Sequence, residues 1–181
     1  MRKISKEKLN KVLDDHKHWI CEDCDDWEHM KADLSDVDLS GVDLSDANLR
    51  CADLRYANLS GADLRYAMNV PFIPYICPEK GSFIGYKKAN SYIIELLITD
   101  DALRSSATSR ICRCSKAKIV SITTLDGIND GTTEVRSNYD SNFIYKVGKI
   151  VEEPNFCEDR WRECAPGIHF FINRQEAVNY L

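Results

Sequence analysis

Ala32-Asp-Leu-Ser-Asp36, Val37-Asp-Leu-Ser-Gly41, Val42-Asp-Leu-Ser-Asp46, Ala47-Asn-Leu-Arg-Cys51, Ala52-Asp-Leu-Arg-Tyr56, Ala57-Asn-Leu-Ser-Gly61 and Ala62-Asp-Leu-Arg-Tyr66 follow one another without a gap, and a frayed eighth quintet begins at Ala67. Each quintet has a small residue, then Asp or Asn, then Leu. A period of five suits neither a helix nor a flat strand, yet residues two apart point to one side of an extended chain. To keep the small residue and the Leu inside together, the chain must turn after every quintet. If four quintets complete one circuit, position i lies beneath i+20. Leu34 then stacks on Leu54, Leu39 on Leu59 and Leu44 on Leu64, while Val37 faces Ala57 and Val42 faces Ala62. Arg55 and Tyr56 point outward on one face, Arg65 and Tyr66 on a second, and Gly41 and Gly61 on a third.

This signature resembles the pentapeptide-repeat family. The resemblance implies a short right-handed quadrilateral β-helix with four quintets per circuit. Some members of that family imitate duplex DNA, and the segment 22–66, with twelve acidic and four basic residues, has the charge for it. Its height does not. Fewer than two circuits at about 4.8 Å per strand rise only roughly 10 Å, so DNA mimicry is not expected and the acidic skin reads as solvated surface.

A β-helix this short leaves unpaired backbone and apolar layers at both ends. Residues 5–20 supply a capping helix: Ser5 is placed as N-cap, Ile4 and Leu9 as a hydrophobic staple, and Leu9, Val12, Leu13, His16 and Ile20 on one face. Trp19 and Trp27 are candidates to plug the same end. The chain divides on this reading into a helix and cap at 1–31, the repeat at 32–69 and a C-terminal domain at 70–181.

That last boundary rests on Pro71, Pro74 and Pro78, where the five-residue rule stops. Beyond it, strands are expected at 82–87, 91–98, 117–124, 142–147 and 168–172, with Asp126-Gly and Asp130-Gly as turns. Asn173-Arg-Gln-Glu176 opens a short final helix as a capping box. The chain as a whole is mainly β, with a C-terminal α+β domain built on a mainly antiparallel sheet. The stretches Cys77–Lys87, Arg104–Arg113 and Ala165–Phe171 resemble an uncharacterised domain found behind pentapeptide repeats in bacterial and phage proteins, and His16-Lys-His-Trp19 looks like the usual lead-in to such repeats. No activity comes with these resemblances.

The sequence of 181 residues carries no apolar run long enough for a membrane helix, and no apolar stretch behind Met1–Lys8 to make a signal peptide. A cytoplasmic setting is expected. The eight cysteines should then be reduced thiols, most of them buried.

Chemistry concentrates between Arg104 and Lys118, where five cations stand among five hydroxyl side chains. Arg forks and Ser/Thr hydroxyls suit a phosphate or carboxylate. Arg104, Ser105, Ser106, Thr108, Arg110 and Arg113 are the candidate ligand contacts, with His169 and Tyr86 as neighbours. The competing reading is a polar loop whose cations pair with Asp100, Asp101 or the repeat. No catalytic residues, cofactor or metal are expected. His16, His18, Cys21 and Cys24 lie within nine residues, but they lack a second pair at finger spacing. Cys164 and His169, with Glu163, Asp159 and Arg160 nearby in sequence, form no recognisable catalytic spacing.

The residues favour a non-catalytic protein whose C-terminal domain binds a protein or a small anionic ligand. The alternatives are an enzyme acting on a nucleotide or phosphorylated substrate through Arg104–Lys118, and a structural phage component. Exposed Tyr56 and Tyr66, or an open end of the repeat, would support a homodimer.

Overall fold

In the computed structural model, which describes residues 1–70 and 72–180, two devices bend every quintet. The Asp or Asn side chain at each second position accepts the backbone N–H two residues on, at 2.9–3.2 Å, in all seven quintets. Such local carbonyl-to-amide bonds are what make Asx residues turn formers. The fifth residue of each quintet (Asp36, Gly41, Asp46, Cys51, Tyr56, Gly61, Tyr66) has φ between 56° and 72°. The preceding Leu carbonyl accepts the N–H three residues on, as Val42 N–H does to Leu39 at 3.1 Å. A positive φ at the third residue of such a turn is what a type II turn requires.

The chain divides at Pro74 and Tyr75 into two units, each with its own contacts. Pro71, one of the three prolines read as a linker, lies outside the described residues.

In the first unit, β1 (Arg2–Lys3) pairs in parallel with β2 (Val37–Asp38). Parallel bridges link Asp33 to Asp53, Asp38 to Asn58, Asp43 to Asp63 and Asn48 to Met68. The N–H groups of Leu34, Leu39, Leu44 and Leu49 donate to the carbonyls of those same second-pass residues at 2.8–2.9 Å. The register of twenty therefore holds, and Leu34 lies level with Leu54. First-pass leucines are at most 2% exposed, whereas Leu54 and Leu59 are half-buried.

The N-terminal end is covered by α1 (Lys6–Cys21), capped by the Ser5 hydroxyl accepting the Lys8 N–H at 3.3 Å. Leu9 and His16 are buried, with Val12, Leu13 and Ile20 half-buried beside them. His16 does more than pack. Its Nδ1 accepts the N–H of Ala32, the first residue of the repeat, at 3.1 Å, and Trp19 stacks on its ring at 5.4 Å. Burial pushes the His16 pKa down, so the ring stays neutral and Nδ1 stays an acceptor. Strand β1, absent from the sequence reading, closes the first edge through Arg2 N–H to the Asp36 carbonyl at 2.9 Å.

The second unit contains β3 (Phe83–Ala89), β4 (Tyr92–Ile98), β5 (Arg104–Ser106), β6 (Cys112–Cys114), β7 (Lys116–Thr124), β8 (Glu134–Arg136), β9 (Ile144–Lys146), β10 (Ile150–Glu152), β11 (Ile168–Phe170) and α2 (Arg174–Asn179). Antiparallel pairing gives a four-stranded sheet β10-β7-β4-β3, a three-stranded sheet β11-β6-β5 and a hairpin β8-β9. Ile94, Leu96, Ile98, Ile119 and Phe170 form the core between them. Gly85 is fixed by Phe170, because a Cβ there would sit 2.5 Å from the ring.

The five expected strands are present, with ends moved by at most two residues. Strands β5, β6, β8 and β10 went unread, since three-residue strands rich in Arg, Ser, Cys and Glu lack the β-branched run that marks a strand. The Arg104–Lys118 stretch is accordingly a hairpin and the start of β7, where a polar loop was one expectation. Asn173 caps α2, accepting the Gln175 N–H at 2.7 Å. The second half of the expected capping box is missing, as Glu176 pairs with Arg110 instead. Three of the cysteines are buried (Cys77, Cys112, Cys114), two are half-buried and three are exposed, which corrects the expectation that most are buried.

Candidate functional site

Cross-strand register gathers the candidate residues. Ser105 lies opposite Arg113, and Arg113 opposite His169, so the three form one row across β5, β6 and β11. The row is covered by the irregular segment 153–167, whose Phe156 ring lies 5.4 Å from the Arg113 guanidinium. Arg113 is 2% exposed and donates to the carbonyls of Cys157, Pro166 and Asp159 at 2.9–3.0 Å. Burial pushes its pKa down, which three carbonyl acceptors offset by solvating the cation. Arg160 Nε donates to the Ser106 carbonyl at 2.9 Å. His169 Nε2 meets the Glu163 carbonyl at 2.8 Å, so this nitrogen carries the proton; burial pushes the His169 pKa down.

Arg104 is likewise turned inward. Its guanidinium makes five hydrogen bonds to the carbonyls of Pro78, Gly81, Thr99, Asp100 and Ala102, tying the β4–β5 connection to the segment before β3. Ser106 Oγ accepts the Ile76 N–H at 2.8 Å, and Ser105, 2% exposed, faces the interior. Tyr86 stands apart from the row, in a small second core with Ile93, Phe171 and Ala177. Arg110 pairs with Glu176 at 2.7 Å on the surface. Lys116 pairs with Asp101 at 2.5 Å.

A third carboxylate of the chain meets the main chain of this region. In the turn between β5 and β6, the N–H groups of Thr108 and Ser109 converge on Glu163 Oε1 at 3.2 and 2.9 Å. Successive main-chain amides in a turn form a concavity suited to a negative charge. Sequence reasoning named the arginines and hydroxyls of this stretch and missed its amides, which carry no side-chain signature.

No nucleophile meets a base in the row. Two strand spacings of about 4.8 Å each separate Ser105 from His169, with the Arg113 side chain between them. For metal ligation, the described residues bring together His18, Asp23 and Cys24 in the first unit. His16 and Cys21 are not in that group.

A model described as a family of unknown function (DUF5758) matches residues 73–177, more than half of the chain. The chain belongs to the DUF5758 family. Ahead of that domain, the pentapeptide-repeat model matches residues 30–65 in eight copies. No curated protein and no solved structure matches the chain. The DUF5758 match contains every member of the row, the segment that covers it and the Thr108–Ser109 turn. Among the described residues no helix is long and apolar enough to cross a membrane.

Proposed function

We propose that the chain is a non-catalytic binding protein of a bacterial or phage cytoplasm. In this reading the repeat winds as a right-handed quadrilateral β-helix and acts as a platform. The DUF5758 domain takes an anionic group, from a small ligand or from an acidic side chain of a partner protein, at the turn between β5 and β6. The observation that carries the proposal is the Thr108–Ser109 amide pair, already aimed at a carboxylate. Hydrogen bonds from main-chain amides to an ionised acceptor are stronger than neutral ones and impose direction. Glu163 holds the place until a competing anion arrives, and Arg110, paired at the surface with Glu176, stands beside the turn to add a charge. Arg104 and Arg113 give the site rigidity and not contact, because their forks are directed at carbonyls of the chain.

A thermal-shift series with phosphate, sulfate, citrate and nucleotides tests this, using wild type and Glu163→Ala. The variant leaves two amides without their acceptor, costing about 1–3 kcal/mol. An anion should restore much of that loss and stabilise the variant more than the wild type. A variant that no anion stabilises, or one that gains no more than wild type, refutes the site.

A further inference from the structure

The geometry points to a divalent transition-metal site of the zinc type in the first unit, formed by His18 Nδ1, a carboxylate oxygen of Asp23 and Cys24 Sγ. These three donor atoms lie within 4.8 Å of one another. Imidazole, carboxylate and thiolate are the three ligand types that zinc accepts, at about 2.0–2.3 Å each. Tetrahedral ligation at those lengths needs donor separations of roughly 3.3–3.7 Å. The His18–Asp23 contact, 2.7 Å across a shared hydrogen bond, must widen slightly, and no separation need close by more than about 1 Å. Both changes are within side-chain rotation. A fourth donor is at hand: Cys24 Sγ contacts Met30 Sδ at 3.7 Å, so the thioether can flank the ion or leave that position to water.

The backbone explains why residues distant along a helix axis meet here. Glu22, the residue that ends α1, is left-handed at φ 53°, and its N–H returns to the His18 carbonyl at 2.8 Å. That reversal folds Asp23 and Cys24 back over the last turn of the helix. Asp26, again left-handed at φ 63°, starts the turn that delivers Met30. The site thus sits at a helix C-terminus, where the carbonyl dipoles favour a cation. Carboxylates also surround the thiol: desolvation first, then Asp23, Asp25, Asp26 and Asp15, push the Cys24 pKa up. A bound divalent ion reverses that pressure, since metal ligation deprotonates a coordinating thiol. His18 and Asp23 are exposed and Cys24 half-buried, so an ion has an open approach. The ion would pin the connection between the capping helix and the first quintet.

The test titrates the reduced, metal-free full chain with zinc by calorimetry and with cobalt(II) by absorption. One equivalent of zinc should bind with proton release and raise Tm. Cobalt should give a near-ultraviolet sulfur-to-metal charge-transfer band. His18→Ala and Cys24→Ser should each lose the band and weaken zinc at least tenfold, while Cys21→Ser and Cys51→Ser keep both. Met30→Leu decides only whether the thioether completes the shell. No zinc binding, or binding and a cobalt band that survive Cys24→Ser, would overturn the site. The altered side chains are exposed or half-buried, and a wild-type circular-dichroism spectrum for each variant confirms that loss of metal is not loss of fold.

Discussion

Lys87 shows how much one residue can set. It lies on the inner face of β3 between Gly85 and Ala89, only 9% exposed. Its Nζ donates to the His169 carbonyl at 3.2 Å and stands 5.8 Å from the Tyr145 ring. Burial pushes its pKa down to about 8, with Cys114 pulling weakly the other way. The folded value lies below the unfolded value of about 10.4, so the unfolded chain binds more protons between them. Stability is therefore penalised at and below pH 8 and rises as pH climbs from about 8 to about 10.4. Lys87→Met should remove that slope and, near pH 7, add stability of up to roughly 3 kcal/mol. Urea unfolding of both proteins at pH 7 and pH 10 checks this, and a gap between them that does not narrow with pH would sink it. The alternation Gly85, Lys87, Ala89 was there to be read, but a lysine at a strand end is normally assigned to solvent.

Among the elements, the repeat was the most legible and the hairpin β5–β6 the least. Small residue and Leu two apart, seven times over, demand a turn after each quintet, while the ladder of twenty rested on the four quintets per circuit that the resemblance to pentapeptide repeats implies. The left-handed fifth residue was hidden because Asp, Gly, Cys and Tyr all occupy it. In β5 and β6, Ser105, Ser106 and Arg113 are polar and buried, beside the core cysteines Cys112 and Cys114. The acceptors of Arg113 are carbonyls 44–53 residues away, which no local pattern records. The repeat's acidity also gains a cause at this scale: each second-position carboxylate is an internal acceptor before it is a surface charge. Local hydrogen bonds hold Asp33, Asp38, Asp43, Asp53 and Asp63 below the usual carboxylate range, Asp53 to about 2. A depressed folded pKa gives stability that is present above the unfolded value and lost as pH falls through the folded one. Acid should thus melt the repeat between about pH 4 and pH 2. Asn already fills the same position at 48 and 58, so replacing all five aspartates by Asn should keep the fold and flatten that acid limb. Circular dichroism during acid titration reads the difference, and an unchanged limb would mean that these carboxylates do not set it.

For the whole molecule, two units carry unrelated kinds of order. In the first, one local rule repeats and the ends are finished by β1, α1 and the His16–Ala32 bond. In the second, short strands and an irregular covering segment are joined by arginine forks and one glutamate. The family match fixes what kind of chain this is, and the inward arginines explain why the residues that look most like a binding site are mostly braces. The anion site we propose is the main chain at Thr108 and Ser109, from which a ligand must displace Glu163. The most direct test of that claim is amide chemical-shift mapping of the isotope-labelled chain with phosphate added, for wild type and Glu163→Ala. The account predicts that the Thr108 and Ser109 amides move most, saturably, and at lower phosphate in the variant. Perturbations centred elsewhere, or none at these two amides in either protein, would contradict it.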